Sequence, residues 1–176
     1  RNSRDSEVLE CVKSLNEHAE SVMRMPGAGK LEEIVKSLGG EVLELEASVK
    51  TVEQAAKATG VDPGQIIKSI LLITEKEGAV LAIVDGRSRI DLEKVGRRFG
   101  KTRLASAREV KEVTGYEVGE LPPVGIPVKT LIDPKVLERS YVLGGGGAIN
   151  RLIKIDPHKI VEAQNAEVES ISIENH

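Results

Sequence analysis

Residues 66–84 constrain the fold more than any other part of the chain. Ile66-Ile67-Lys68-Ser69-Ile70-Leu71-Leu72-Ile73-Thr74 is a β-branched apolar run. Ala79-Val80-Leu81-Ala82-Ile83-Val84 is a second, and only Glu75-Lys76-Glu77-Gly78 separates them. Each falls far short of the roughly 20 apolar residues of a membrane span. Neither alternates polar with apolar, so both predict strands covered on two faces, joined by a turn into a hairpin in the middle of a sheet.

Helical signals surround this hairpin. Val8, Val12, Leu15, Ala19 and Val22 recur at three- and four-residue steps, which predicts an amphipathic helix over residues 6–22. Residues 25–29 read as a linker, and residues 31–38 as a short helix stopped by Gly39-Gly40. Thr51 with Gln54, and Ser106 with Glu109, have the form of capping boxes. Asp62-Pro63, Asp91, Asp133-Pro134 and Asp156-Pro157 mark further helix starts. Strands are predicted at 41–46, 128–132, 141–143 and 149–155, with a last edge strand carrying Val168, Ile171 and Ile173. Residues 116–127 hold three prolines and fit no regular element. Strands and helices interleave irregularly, so an α+β fold with a mixed sheet is expected rather than a doubly wound one.

The 176 residues suit one domain, and 40% apolar residues argue against disorder. The sequence starts without Met and without the apolar stretch of a signal peptide. Its one cysteine, Cys11, can form no internal disulfide, and a cytoplasmic protein is expected. A net charge of −3 does not describe a general nucleic-acid binder. Yet Arg87, Arg89, Lys94, Arg97, Arg98, Lys101, Arg103 and Arg108 face only Asp91 and Glu93 within residues 87–108. Such a segment is either a solvated helix face or a surface toward phosphates, with Arg87, Arg89, Arg97 and Arg98 the candidate contacts to a nucleic-acid backbone. Three rings in all (Phe99, Tyr116, Tyr141) cannot build the stacking platform many single-strand binders use.

Two apparent motifs fail on physical grounds. Pro26-Gly27-Ala28-Gly29-Lys30 has the end of a phosphate-binding loop, but Arg24 and Leu31 stand where Gly and Ser or Thr are needed. The run Gly144–Gly147 lacks the last glycine of a dinucleotide fingerprint. His18, His158 and His176 are scattered, with no metal-ligand spacing, and no Ser sits in a Gly-x-Ser-x-Gly elbow.

Three features remain. Lys68 interrupts an apolar run, where it either snorkels out at a strand edge or serves a site. Gly119-Glu120-Leu121-Pro122-Pro123-Val124-Gly125-Ile126-Pro127 is either a rigid surface connection or a loop that lets backbone approach a ligand. The four glycines 144–147 are either a flexible turn or a set of bare N–H groups. Read as one site, the two glycine segments are expected to face each other across a pocket, with Lys68 between them.

Thr51-Val52-Glu53-Gln54-Ala55-Ala56, then Val61-Asp62-Pro63 and Ile67-Lys68-Ser69-Ile70-Leu71, resembles the YbaK/EbsC-type family, which includes the editing domain inserted in bacterial prolyl-tRNA synthetase. The likeness continues through Leu104-Ala105-Ser106, Val113-Thr114-Gly115-Tyr116, Gly119-x-x-x-Pro123 with Gly125 and Pro127, Gly145-Gly146-Gly147 and residues 152–157. It spans residues 31–173 in order and leaves the first helix outside. It implies a partly barrel-like mixed sheet flanked by helices in an editing domain at 27–176, preceded by a helix and linker at 1–26.

The resemblance also implies an activity: hydrolysis of the ester of a mischarged tRNA, commonly proline tRNA carrying alanine or cysteine, in trans, without metal, cofactor or covalent enzyme intermediate. The ligand would be an aminoacyl-tRNA and the associated partner prolyl-tRNA synthetase. The family lysine matches Lys68, and an acidic residue that follows a strand in synthetase-inserted relatives is matched by Asp133. Ser69, Gly119, Pro123, Gly125, Gly145, Gly146, Gly147 and Asn150 would contact substrate. A histidine that helps some relatives has no counterpart near residues 147–151. The chemistry is reasonable, because one missing methylene is worth only about 1–3 kcal/mol to a synthetase pocket, and a second hydrolytic site corrects the error. Two other readings stay open: a non-catalytic module that docks tRNA ends or associates with a synthetase, and a structural domain whose N-terminal helix mediates assembly.

Overall fold

The structure is a computed structural model that describes residues 29–174. The predicted N-terminal helix and Cys11 lie outside the described residues. The hairpin forms as expected: β2 (Ile67–Thr74) and β3 (Gly78–Asp85) pair antiparallel along their whole length. They occupy the interior of a five-stranded sheet ordered β5-β2-β3-β6-β9. Here β5 is Thr102–Leu104, β6 is Lys129–Ile132 and β9 is Glu167–Val168; β6 joins β3, and β9 joins β6, in parallel. Residues Val80 to Val84 are fully buried, because both faces of the sheet are covered. That placement requires an apolar residue at every position rather than at alternate ones.

One face packs under α1 (Lys30–Ser37), α4 (Ala107–Thr114), α5 (Pro157–Gln164) and residues 121–126. The other face packs under α3 (Leu92–Phe99), through Val95 and Phe99. A second, antiparallel sheet sets β8 (Arg151–Ile155) between β1 (Glu41–Glu44) and β7 (Val142–Gly145). It meets the residue just before β2 at a parallel bridge, Ile66 to Leu143. The helix α2 (Val52–Thr59) closes a third cluster of Val49, Ala55, Ile66, Leu143 and Leu152. A short pair, β4 (Ser88–Ile90) with β10 (Ser172–Glu174), completes the fold. The fold is α+β with mixed sheets, and those sheets do not close into a barrel.

The capping chemistry decides most boundaries. Thr51 with Gln54 and Ser106 with Glu109 form both halves of their capping boxes, and Asp91 and Asp156 cap α3 and α5. Asp62 differs from expectation. Its helix is only a 3-10 turn, Pro63–Gln65, and its carboxylate caps nothing. Arg87 and Arg139 take it instead, since two guanidinium groups are stronger partners than one backbone N–H. The last strand also differs: residues 167–174 split into β9 and β10, which belong to different sheets.

Candidate active site

Along an antiparallel strand, successive residues turn their backbone groups to opposite edges and their side chains to opposite faces. The N–H of Gly86 donates to the carbonyl of Ile66, which fixes Lys68, Ile70 and Leu72 as the residues bonded to β3. Ile67, Ser69 and Leu71 therefore direct their N–H and C=O groups to the other edge. There β5 pairs only with residues 72–74 of β2, and Ala105 N–H reaches the Leu71 carbonyl before the chain enters α4.

A cavity of about 500 Å³ opens where that edge is left uncovered. Lys68, Ser69, Glu53, Lys50, Gly119 and Gly145 line it, with Leu104, Ala105, Val118 and Leu121 as apolar walls. It wraps the edge of β2, with Lys68 and Ile70 on one face and Ser69 and Leu71 on the other.

The Lys68 ammonium donates to the Ser88 carbonyl at the corner between β3 and β4. Burial pushes its pKa below the ordinary lysine range, and the nearby carboxylates of Asp85 and Glu53 oppose that shift without cancelling it. Buried polar groups normally find partners. Ser69 Oγ, Asp85 Oδ1 and Ser88 Oγ, all on or beside this hairpin, are buried with no hydrogen-bond partner among the described residues.

The two glycine segments meet each other directly instead of facing across the cavity. Gly147 N–H donates to the Glu120 carbonyl at 2.9 Å, and Gly146 N–H donates to the Arg151 carbonyl at 3.1 Å. The Leu121 carbonyl occupies the space where a side chain at Gly145 would go. Residues 119–123 thus lie in a groove that only glycine leaves open, and the N–H groups of Gly146 and Gly147 are already committed. Gly119, at φ +86°, turns the loop against Lys50. Pro123 packs on Gly144 behind the cavity wall, and Gly125 faces Ile34. Asn150 donates to the Leu45 carbonyl at 3.2 Å.

Asp133 does not line the cavity. It is buried at the end of β6, where it accepts from Lys135 N–H, Ile171 N–H and Ser172 Oγ. The four arginines divide. Arg87 sits beside Gly86 at the cavity and is paired with Asp62. Arg98 is paired with Glu167 and Glu169 at the β9 edge, three strands from β2 and so about 14 Å away. Arg89 and Arg97 are exposed, with no carboxylate within ion-pair distance among the described residues.

Sequence reasoning missed Glu53 and Lys50 as cavity residues. Glu53 had a signal: the cap uses only Thr51 and Gln54, so an acid between them had no assigned work. No three His, Cys, Asp or Glu side chains gather to hold a metal among the described residues. No described helix is long and apolar enough to cross a membrane.

The pattern of the family described as aminoacyl-tRNA editing domain matches residues 46–163. Protein YwhH of Bacillus subtilis is 34% identical over 125 residues, 69% of this chain and 80% of that protein. A candidate Cys-tRNA(Pro)/Cys-tRNA(Cys) deacylase, EbsC of Enterococcus faecalis, is 24% identical over 126 residues, covering 69% and 77%. The proline–tRNA ligase of Thermodesulfovibrio yellowstonii is 28% identical over 127 residues, 72% of this chain but only 22% of the ligase. Among solved structures, a candidate trans-editing enzyme for prolyl tRNA synthetase superposes with a TM-score of 0.72 at 33% identity, covering 81% of this chain and 97% of that one.

Proposed function

The chain belongs to the aminoacyl-tRNA editing domain family, and from that premise we propose that it hydrolyses the ester joining a wrong amino acid to the 3′ end of a tRNA. The observation that carries the reading is the cavity at the open edge of β2, where Lys68, Ser69, Gly119 and Gly145 line one space. In the reaction, water adds to the ester carbonyl carbon, the bond from that carbon to the ribose oxygen breaks, and the oxygen takes a proton. The products are a free amino acid and a tRNA with its hydroxyl restored. An aminoacyl ester needs little more than a positioned water and stabilisation of the developing oxyanion.

In this reading Lys68 supplies positive charge toward the terminal phosphate or the ester, and the apolar walls receive the amino-acid side chain. Proline tRNA carrying alanine or cysteine is the proposed substrate, a choice supported by the deacylase and ligase relatives. The protein acts in trans beside prolyl-tRNA synthetase, in the cytoplasm, without a metal. The test is a deacylation panel of correctly and incorrectly charged tRNAs. Selective release of alanine or cysteine from proline tRNA supports the reading, and spontaneous rates on every ester refute it.

A further inference from the structure

We propose that the amino-acid part of the substrate binds as a single-residue strand on the open edge of β2, with its ammonium donating to the Ser69 carbonyl and its ester carbonyl accepting from the Ser69 N–H. For its ligand the proposal rests on the reading above; the open edge itself does not depend on it.

On this edge β2 is covered at one end by β5 and Ala105, and at the other by the bridge from Ile66 to Leu143. Of the residues that face outward, Ser69 is the one between these two covers, and no strand pairs with it there among the described residues. From Ile67 to Leu71 is four residue steps, or about 13 Å of strand, bordered by Leu104 and Ala105 on one side and Gly144 and Gly145 on the other. That length admits one extended amino acid and the start of the sugar it is esterified to.

An unpaired strand edge is a ready-made template for pairing, because its N–H and C=O groups have no partner within the protein. Ser69 adds a buried hydroxyl with no partner. In a sheet, one residue that exchanges both bonds with the residue opposite is the ordinary hydrogen-bonded pair. An α-amino acid ester carries the matching groups at the matching spacing: a nitrogen donor and, one carbon further, a carbonyl acceptor. The same N–H that holds the ester carbonyl then stabilises the charge developing on that oxygen as water adds. The glycine loops are not the source of this donor, since Gly146 and Gly147 already spend their N–H groups on Arg151 and Glu120.

Amide hydrogen exchange by NMR tests the edge directly. In the free protein, the amides of Lys68 and Ile70, bonded to β3, should exchange slowly and that of Ser69 fast. Adding 3′-alanylamino-3′-deoxyadenosine, an amide that resists hydrolysis, should shift the Ser69 amide resonance and slow its exchange by about tenfold or more. The propionyl analogue, which lacks the ammonium, should bind about tenfold more weakly. Replacing Ser69 by its α-hydroxy acid removes the N–H while keeping the side chain, and should lower kcat by about 100-fold. The same backbone change at Leu72, which breaks a ladder bond to β3 and leaves the Ser69 carbonyl an amide, should lower stability with little loss of kcat. A Ser69 amide protected like its neighbours in the free protein overturns the proposal, and so does a ligand that leaves it unmoved. Contact with the ligand but no ester hydrolysis would sink the catalytic reading and leave the edge standing. Hydrolysis with an indifferent Ser69 amide would do the reverse.

Discussion

The backbone carbonyl of Leu121 lies against Gly145, in the space a side chain there would need, and this contact seats residues 119–123 on β7. A methyl group at 145 would force the loop or the strand to move. Gly145→Ala is expected to cost about 1–3 kcal/mol and lower the melting temperature by several degrees. Gly96, inside α3, has nothing within 4 Å of its missing side chain, so Gly96→Ala should stabilise by about 0.5–1 kcal/mol. Thermal unfolding of the two variants checks the pair; equal shifts would remove the special status of Gly145.

Asp133 is expected to hold the end of the chain in place, not to act on the ester. Asp133→Ala strands the N–H of Ile171, the hydroxyl of Ser172 and the N–H of Lys135. The expected loss is about 2–4 kcal/mol of stability. At a temperature where the variant stays folded, its deacylation rate should match the wild type. A large loss of rate in the folded variant would return Asp133 to the reaction.

For Lys68 the pH dependence has a definite sign. Burial lowers its folded pKa, so between that value and the unfolded one the unfolded chain holds more protons, and stability rises with pH. Lys68→Met removes the cost of burying the charge. The variant should therefore be more stable than wild type near neutrality, and the gap should narrow as pH climbs toward the ordinary lysine range. Denaturant unfolding from neutral to alkaline pH measures it, and a gap that widens with pH contradicts the account.

Much of this fold could be read in the sequence wherever one local interaction decides the outcome. The hairpin followed from an apolar residue at nearly every position of 66–74 and 79–84, and the helix starts from caps at Thr51, Asp91, Ser106 and Asp156. Three-residue strands were not legible: Ser88–Ile90 and Thr102–Leu104 have too few side chains for a period, and their pairing is set by distant partners. Asp62 read as a cap because Arg139, 77 residues away, left no local mark. In the site, Lys68 and Gly119, which stood out by residue type, line the cavity. The crowding of Gly145 and Leu121 could not be foreseen, because it depends on how two loops dock.

The basic segment should contribute unequally to tRNA binding. Among the described residues Arg89 and Arg97 have no carboxylate partner, whereas Arg87 and Arg98 are already engaged with Asp62 and with Glu167 and Glu169. Each single change Arg89→Ala or Arg97→Ala should reduce the slope of log affinity against log salt by about one unit, and Arg98→Ala by less. Binding measured across a salt series decides it; unchanged slopes would make the segment an ordinary solvated face.

The central claim is that the cavity beside Lys68 hydrolyses a mischarged aminoacyl ester. Single-turnover release of alanine and of cysteine from proline tRNA, by wild type and by Lys68→Ala, tests it most directly, with circular dichroism of both proteins to establish equal folding. The account predicts fast release by wild type on at least one of these esters and a rate lower by about 100-fold or more in the variant. Equal rates in two folded proteins, or release by neither above the spontaneous rate, would contradict it.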